Sequence, residues 1–143
     1  MKTLLLSLKP QLLVIALGLF VFASVTNMAC APRFDQAALD NVTNLSTLLP
    51  GLMAKATSSF DSQSADIKKT SDALDKAVAY ANATKRNKSI ATSWNTLKND
   101  LVAPFLARWK EKGKLEGPFI KEATAQVVKA LDAIKNAEKG KKK

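Results

Sequence analysis

The stretch D35-QAALDNVTNLSTLLPGLMAKATSS-F60 decides how the chain is read. Val42, Leu45, Leu49, Leu52, Ala56 and Phe60 recur at spacings of three and four, the signature of one apolar helical face. Pro50-Gly51 lies in the middle of that run and ordinarily marks a turn. The phase nevertheless passes through the dipeptide without a slip, which predicts one kinked helix over about Asp35–Ser58 rather than two short ones. Asp35 suits the N-cap, with Phe34 before it and Leu39 after it as a hydrophobic staple.

Three further helical patterns follow. Ile67, Leu74, Val78 and Ala81, padded by Ala73 and Ala77, predict a helix over roughly Ser62–Ala83 with a thin apolar stripe. Asp66, Asp72 and Asp75 alternate with Lys68, Lys69 and Lys76 on its remaining surface, and Asp72–Lys76 is the expected i,i+4 ion pair. After the connection T84-KRNK-S89, with Ser89 as a cap, Ile90, Trp94, Leu97, Leu101, Phe105 and Trp109 form a third stripe ending near Gly113. Pro104 interrupts this stripe and is expected to shift it toward Val102 and Leu106. Pro118 opens a fourth helix whose face is Ile120, Ala123, Val127, Leu131 and Ile134, and which is expected to fray into the lysines at the C-terminus. No strand-like alternation competes. Short connections between amphipathic helices predict an all-α, up-and-down bundle of three to four helices spanning 35–138. Trp94 and Trp109 are expected in its core rather than against a ligand.

The bundle is preceded by a segment of a different kind. Lys2 and Lys9 stand ahead of an apolar run of fourteen residues, Leu12–Val25. That is the length of a signal-peptide hydrophobic region and short of the roughly 20 residues of a spanning helix. With the positive charges ahead of the run, the body is expected to be exported. Three readings of the junction T26-NMACAPRF-D35 stay open. Cys30 can be the thiol that accepts a diacylglyceryl group in a lipoprotein-type signal, making 1–29 the signal peptide and 30–34 a short tether. An ordinary peptidase can cut after Ala23 or Ala29, or the segment can remain as a membrane anchor. A buried core thiol fits poorly, because Cys30 precedes the first helical pattern.

Composition limits the chemistry. The 143 residues include one cysteine and no histidine, which argues against a disulfide framework, a multi-cysteine zinc site and histidine-based catalysis. No phosphate-cradling glycine loop and no metal-ligand spacing occur in the sequence. Asp72 and Asp75 share a helix face, but Lys69 and Lys76 bracket them as on a solvated surface. No catalytic residue, metal or cofactor is therefore expected.

The net charge of +10 is distributed unevenly. Residues 35–84 carry six aspartates and four lysines; from Lys85 onward there are fifteen basic and six acidic residues. Arg108, Lys110, Lys112 and Lys114 cluster at the end of the third helix, and Lys139, Lys141, Lys142 and Lys143 make a lysine-rich tail over 139–143. Arg108, Lys110, Lys112, Lys114, Lys141, Lys142 and Lys143 are candidate contacts to an anionic envelope component or lipid headgroups. The plainer expectation is that they complement helix dipoles and aid solubility. Nucleic acid is not an expected partner, given few aromatics, no binding motif and export. The triplets at Asn41, Asn44, Asn82 and Asn87 read as chance occurrences.

Cys30-Ala31-Pro32-Arg33-Phe34-Asp35, the segment F105-LARWKEKGKLE-G117 and the lysine-rich C-terminus together resemble a broad group of small, uncharacterised bacterial lipoproteins. In that group an acylated cysteine precedes a short polar segment and a helical domain of this size. The resemblance implies a lipid anchor at Cys30, a place in the bacterial cell envelope facing the periplasm or exterior, and no particular reaction or protein partner. A soluble secreted helical carrier, released by ordinary cleavage, is the alternative. An apolar cavity between the helices would favour the carrier, and a filled core with a basic outer face would favour the envelope component.

Overall fold

The computed structural model describes residues 33–85 and 87–141, and Cys30, Lys142 and Lys143 lie outside them. Those residues form an all-α, up-and-down bundle. Helix α1 is Gln36–Ala54, followed by single 3₁₀ turns at Lys55–Thr57 and Asp61–Gln63. Helix α2 is Ser64–Ala83. Helix α3, Lys88–Thr96, passes through a π-helical turn at Leu97–Val102 directly into α4, Ala103–Lys112. Helix α5 is Gly117–Lys139. The α3–α4 rod is therefore one of four, and α1 packs most extensively against α5, then against α2.

Helix α1 runs unbroken through Pro50. A mid-helix proline costs about 3 kcal/mol or more. Val42, Leu45, Leu49 and Leu52 are buried. Each such burial stabilises by roughly 1.5–3 kcal/mol, so the stripe outweighs the defect. The last turn tightens to 3₁₀ before Ser58, so the α-helix stops short of the expected end.

Pro104 is handled differently. The Ala103 N–H donates to the Lys98 carbonyl, five residues back. The widened turn relieves the clash between a proline ring and the preceding carbonyl, and Pro104 then falls in the first turn of α4, where its missing N–H matters little. The insertion re-phases the buried stripe, which steps from Leu97 to Val102 and on to Phe105 and Trp109. Val102 is buried as expected, while Leu106 is half-buried.

The remaining stripes match their reading, with Leu74, Ala77, Val78, Ala81, Ile120, Val127, Leu131 and Ile134 in one continuous core. Trp94 and Trp109 lie within it. The Trp109 indole N–H donates to the Ser58 carbonyl at 3.0 Å, and its ring meets Phe60 edge-on at 5.4 Å. Gly113, at φ +74°, ends α4. Its carbonyl accepts from the Phe60 N–H at 3.0 Å, and the Leu115 N–H donates to Ala56 at 2.8 Å.

Two local expectations are corrected. Asp72 pairs with Lys68 at 2.7 Å, one turn toward the N-terminus, instead of Lys76. Helix α3 starts before Ser89, with Asn87 at the N-cap position. Helix α5 ends at Lys139, within the expected lysine-rich end, and its last turn carries the buried Glu138.

Candidate functional site

The up-and-down order collects the N-termini of α1 and α3 and the C-termini of α2 and α5 at one end of the bundle. Cys30 precedes that end by three residues, so covalent geometry places its Cα within about 11 Å of that of Arg33. We call it the tether end, after the expectation from sequence that 30–34 is a tether. The C-termini of α1 and α4 meet at the opposite end, joined by the Phe60–Gly113 and Leu115–Ala56 backbone bonds.

At the tether end the two carboxylates are held by internal partners. Asp35 caps α1, accepting from the N–H groups of Ala37 at 3.0 Å and Ala38 at 3.3 Å. It also accepts from the Tyr80 hydroxyl at 2.5 Å. The tyrosine bond, ahead of the backbone bonds, holds the Asp35 carboxyl below the usual carboxylate range; the same bond pushes the Tyr80 hydroxyl up. Glu138 is 1% exposed. It accepts from the Asn87 side-chain amide at 3.3 Å and pairs with Lys141. Asp35, Tyr80, Asn87, Glu138 and Lys141 line a void of about 10 Å³, no larger than one water molecule.

Lys141 therefore departs from its expected role. Its side chain is 5% exposed and pairs with Glu138, at the edge of an open groove. Sequence patterning holds the signal that finds this pair. Val127, Leu131, Ile134 and Glu138 continue at spacings of four, three and four, which puts the carboxylate on the core face. A glutamate there needs a cation, and the nearby lysines supply one.

Exposed cations surround these two carboxylates. Arg33, Lys85, Lys88 and Lys139 all face solvent, and none is in an ion pair among the described residues. An open groove of about 480 Å³ there is bordered by Arg33, Lys85 and Lys141 and by the Asp35 carboxylate.

The cluster expected from sequence at Arg108, Lys110, Lys112 and Lys114 sits at the opposite end of the bundle. The Arg108 guanidinium covers the Phe119 ring at 4.4 Å from its centroid, and Phe119 stacks on Phe105 at 6.0 Å. Lys112 lies 3.6 Å from Glu111, and Lys110 and Lys114 are exposed. The structure thus does not join this cluster to Lys141.

Two larger depressions are surface grooves. One, of about 670 Å³ between α1 and α2, is edged by Lys68, Lys69, Lys76 and Asp72. The other, of about 610 Å³ between α4 and α5, is edged by Asp100, Arg108, Glu111 and Glu122. Among the described residues, no three His, Cys, Asp or Glu side chains group as metal ligands, and no helix is long and apolar enough to cross a membrane. No family model, curated protein or solved structure matches this chain.

Proposed function

We propose that the protein is a lipid-anchored, non-enzymatic component of the bacterial cell envelope, exported by its N-terminal segment and tethered through Cys30. Its helical bundle serves as a binding or spacing module on the membrane surface. The observation that carries this reading is how soon folded structure follows the cysteine. Asp35, five residues after Cys30, is already fixed by the α1 cap and by Tyr80. An acyl chain on Cys30 would thus hold the bundle by one defined end on a short leash. The filled core also supports the reading over a ligand carrier: Val42, Leu45, Leu97, Trp109 and Val127 close the space between the helices. The grooves that remain are open and edged by charge rather than apolar and enclosed.

Intact mass of the membrane-fraction protein, wild type beside Cys30→Ser, tests the proposal. A chain beginning at Cys30 and carrying diacylglyceryl and acyl groups, both lost in the variant, is the expected result. An unacylated chain in the soluble fraction would overturn it in favour of a secreted carrier.

A further inference from the structure

The tether end carries a surface that the anchor alone does not require. We infer that Arg33, Lys85, Lys88 and Lys139 form a collar that docks on the anionic phospholipid headgroups of a bilayer, setting the bundle upright on its tether end. The inference rests on the anchored reading for its location, but its contacts are separate from the acyl chain.

Charge accounting at this end is the first support. Asp35 and Glu138 are the acidic side chains in its void: half-exposed Asp35 accepts from Tyr80 and the α1 N–H groups, and buried Glu138 pairs with Lys141 and Asn87. Lys141 offsets the Glu138 charge, which leaves Asp35 facing four exposed cations that have no ion-pair partner among the described residues. At the opposite end, Lys110, Lys112 and Lys114 are interspersed with Glu111 and Glu116, and Arg108 is engaged with Phe119. The positive field is therefore less opposed at the tether end.

Shape is the second support. The collar comes from three separate parts of the chain: Arg33 before α1, Lys85 and Lys88 around the α2–α3 connection, and Lys139 closing α5. Arg33 and Lys85 flank the open groove of about 480 Å³, which has room for a phosphodiester headgroup; Lys141 and the single carboxylate of Asp35, held by Tyr80, also line it. A guanidinium forks onto phosphate oxygens and an ammonium acts as a point charge beside it. A flat anionic surface meets all three segments at once.

Lysine footprinting of the full chain tests the collar. The protein is reconstituted in phosphatidylglycerol-rich vesicles and, separately, in phosphatidylcholine vesicles, then acylated with a water-soluble amine reagent and digested for mass spectrometry. Modification of Lys85, Lys88 and Lys139 is expected to slow by at least about five-fold in the anionic vesicles, the effect of one basic contact with an anionic surface. Lys110 and Lys112 are expected to react equally in both and serve as the internal reference. Arg33→Glu/Lys85→Glu/Lys88→Glu is expected to abolish the protection of Lys139, whereas Lys110→Glu/Lys112→Glu is expected to keep it.

Equal modification in the two vesicle types would overturn the collar, whether or not the protein floats with the vesicles. Protection produced by inorganic phosphate with phosphatidylcholine vesicles would overturn it too, assigning the groove to free phosphate. Flotation of the same samples reads the anchor independently. Protein that floats without tether-end protection keeps the anchor and loses the collar; protection without acylation keeps the collar and loses the anchor.

Discussion

The Tyr80 hydroxyl donates to the Asp35 carboxylate at 2.5 Å and so ties the C-terminal half of α2 to the cap of α1. The bond favours the ionised carboxylate and the neutral phenol, which depresses the first pKa and raises the second. A depressed carboxyl contributes stability that is present above its unfolded value and is lost as pH falls through the folded one. A raised phenol contributes stability that is present below its unfolded value and is lost as pH rises through the folded one. Stability is therefore expected to decline below about pH 4 and above about pH 10. Tyr80→Phe should flatten both limbs in urea unfolding followed across pH. An unchanged pH profile in Tyr80→Phe would refute the coupling.

Glu138→Gln leaves the Lys141 ammonium buried without its counter-charge. Breaking a buried pair on one side commonly costs about 3–5 kcal/mol. Lys141 lies near the end of the chain and can swing toward water, so a loss of about 2 kcal/mol is expected. Glu138→Leu/Lys141→Met replaces both members by apolar side chains and should recover most of that loss. Urea midpoints of the single and double variants decide between them.

Trp109→Phe removes the donor to the Ser58 carbonyl and part of a fully buried ring. A part-buried hydrogen bond contributes about 1 kcal/mol, and the lost volume adds to it, so a destabilisation of about 2–3 kcal/mol is expected. Ser58→Ala keeps the backbone carbonyl and changes an exposed side chain, and should stay within about 0.5 kcal/mol of wild type. Equal losses in both variants would place the effect in the Ser58 side chain instead.

Gly113→Ala tests the left-handed turn between α4 and α5. A Cβ there would meet nothing within 4 Å, so any penalty comes from the backbone at φ +74°. The penalty should exceed about 1 kcal/mol and lower Tm by about 5 °C in a calorimetric scan. Gly51→Ala is the matched control: it lies within α1 with open space around it, and should stabilise slightly.

The helices were legible because their stripes are long and their faces consistent. Val42 through Ala56 reads through Pro50, and the burial of that face shows why the proline does not divide α1. The π turn was less legible. A step of five between Leu97 and Val102 has no place in a three/four pattern, so sequence registered Pro104 as an interruption without giving its form. At the ends, charge type was legible but direction was not. Lys141 and Lys139 belong to the same basic tail, yet one turns into the bundle and the other faces solvent. Only the helical phase of Glu138 separates them. The tether-end collar was hidden for a further reason: Arg33, Lys85 and Lys139 are far apart in the chain, and the antiparallel order of the helices brings them together.

The broad seam between α1 and α5 joins the first and last helices of the bundle. Val42, Leu45 and Leu49 cannot be fully sheltered until Val127, Leu131 and Ile134 have been made, and the Glu138–Lys141 clasp waits for the final residues. The core thus closes only when segments far apart in the chain have come together. Until α5 is in place the face of α1 that it covers stays open to water, so a chain stopped ahead of Val127 is expected to bind a hydrophobic dye that the whole bundle excludes.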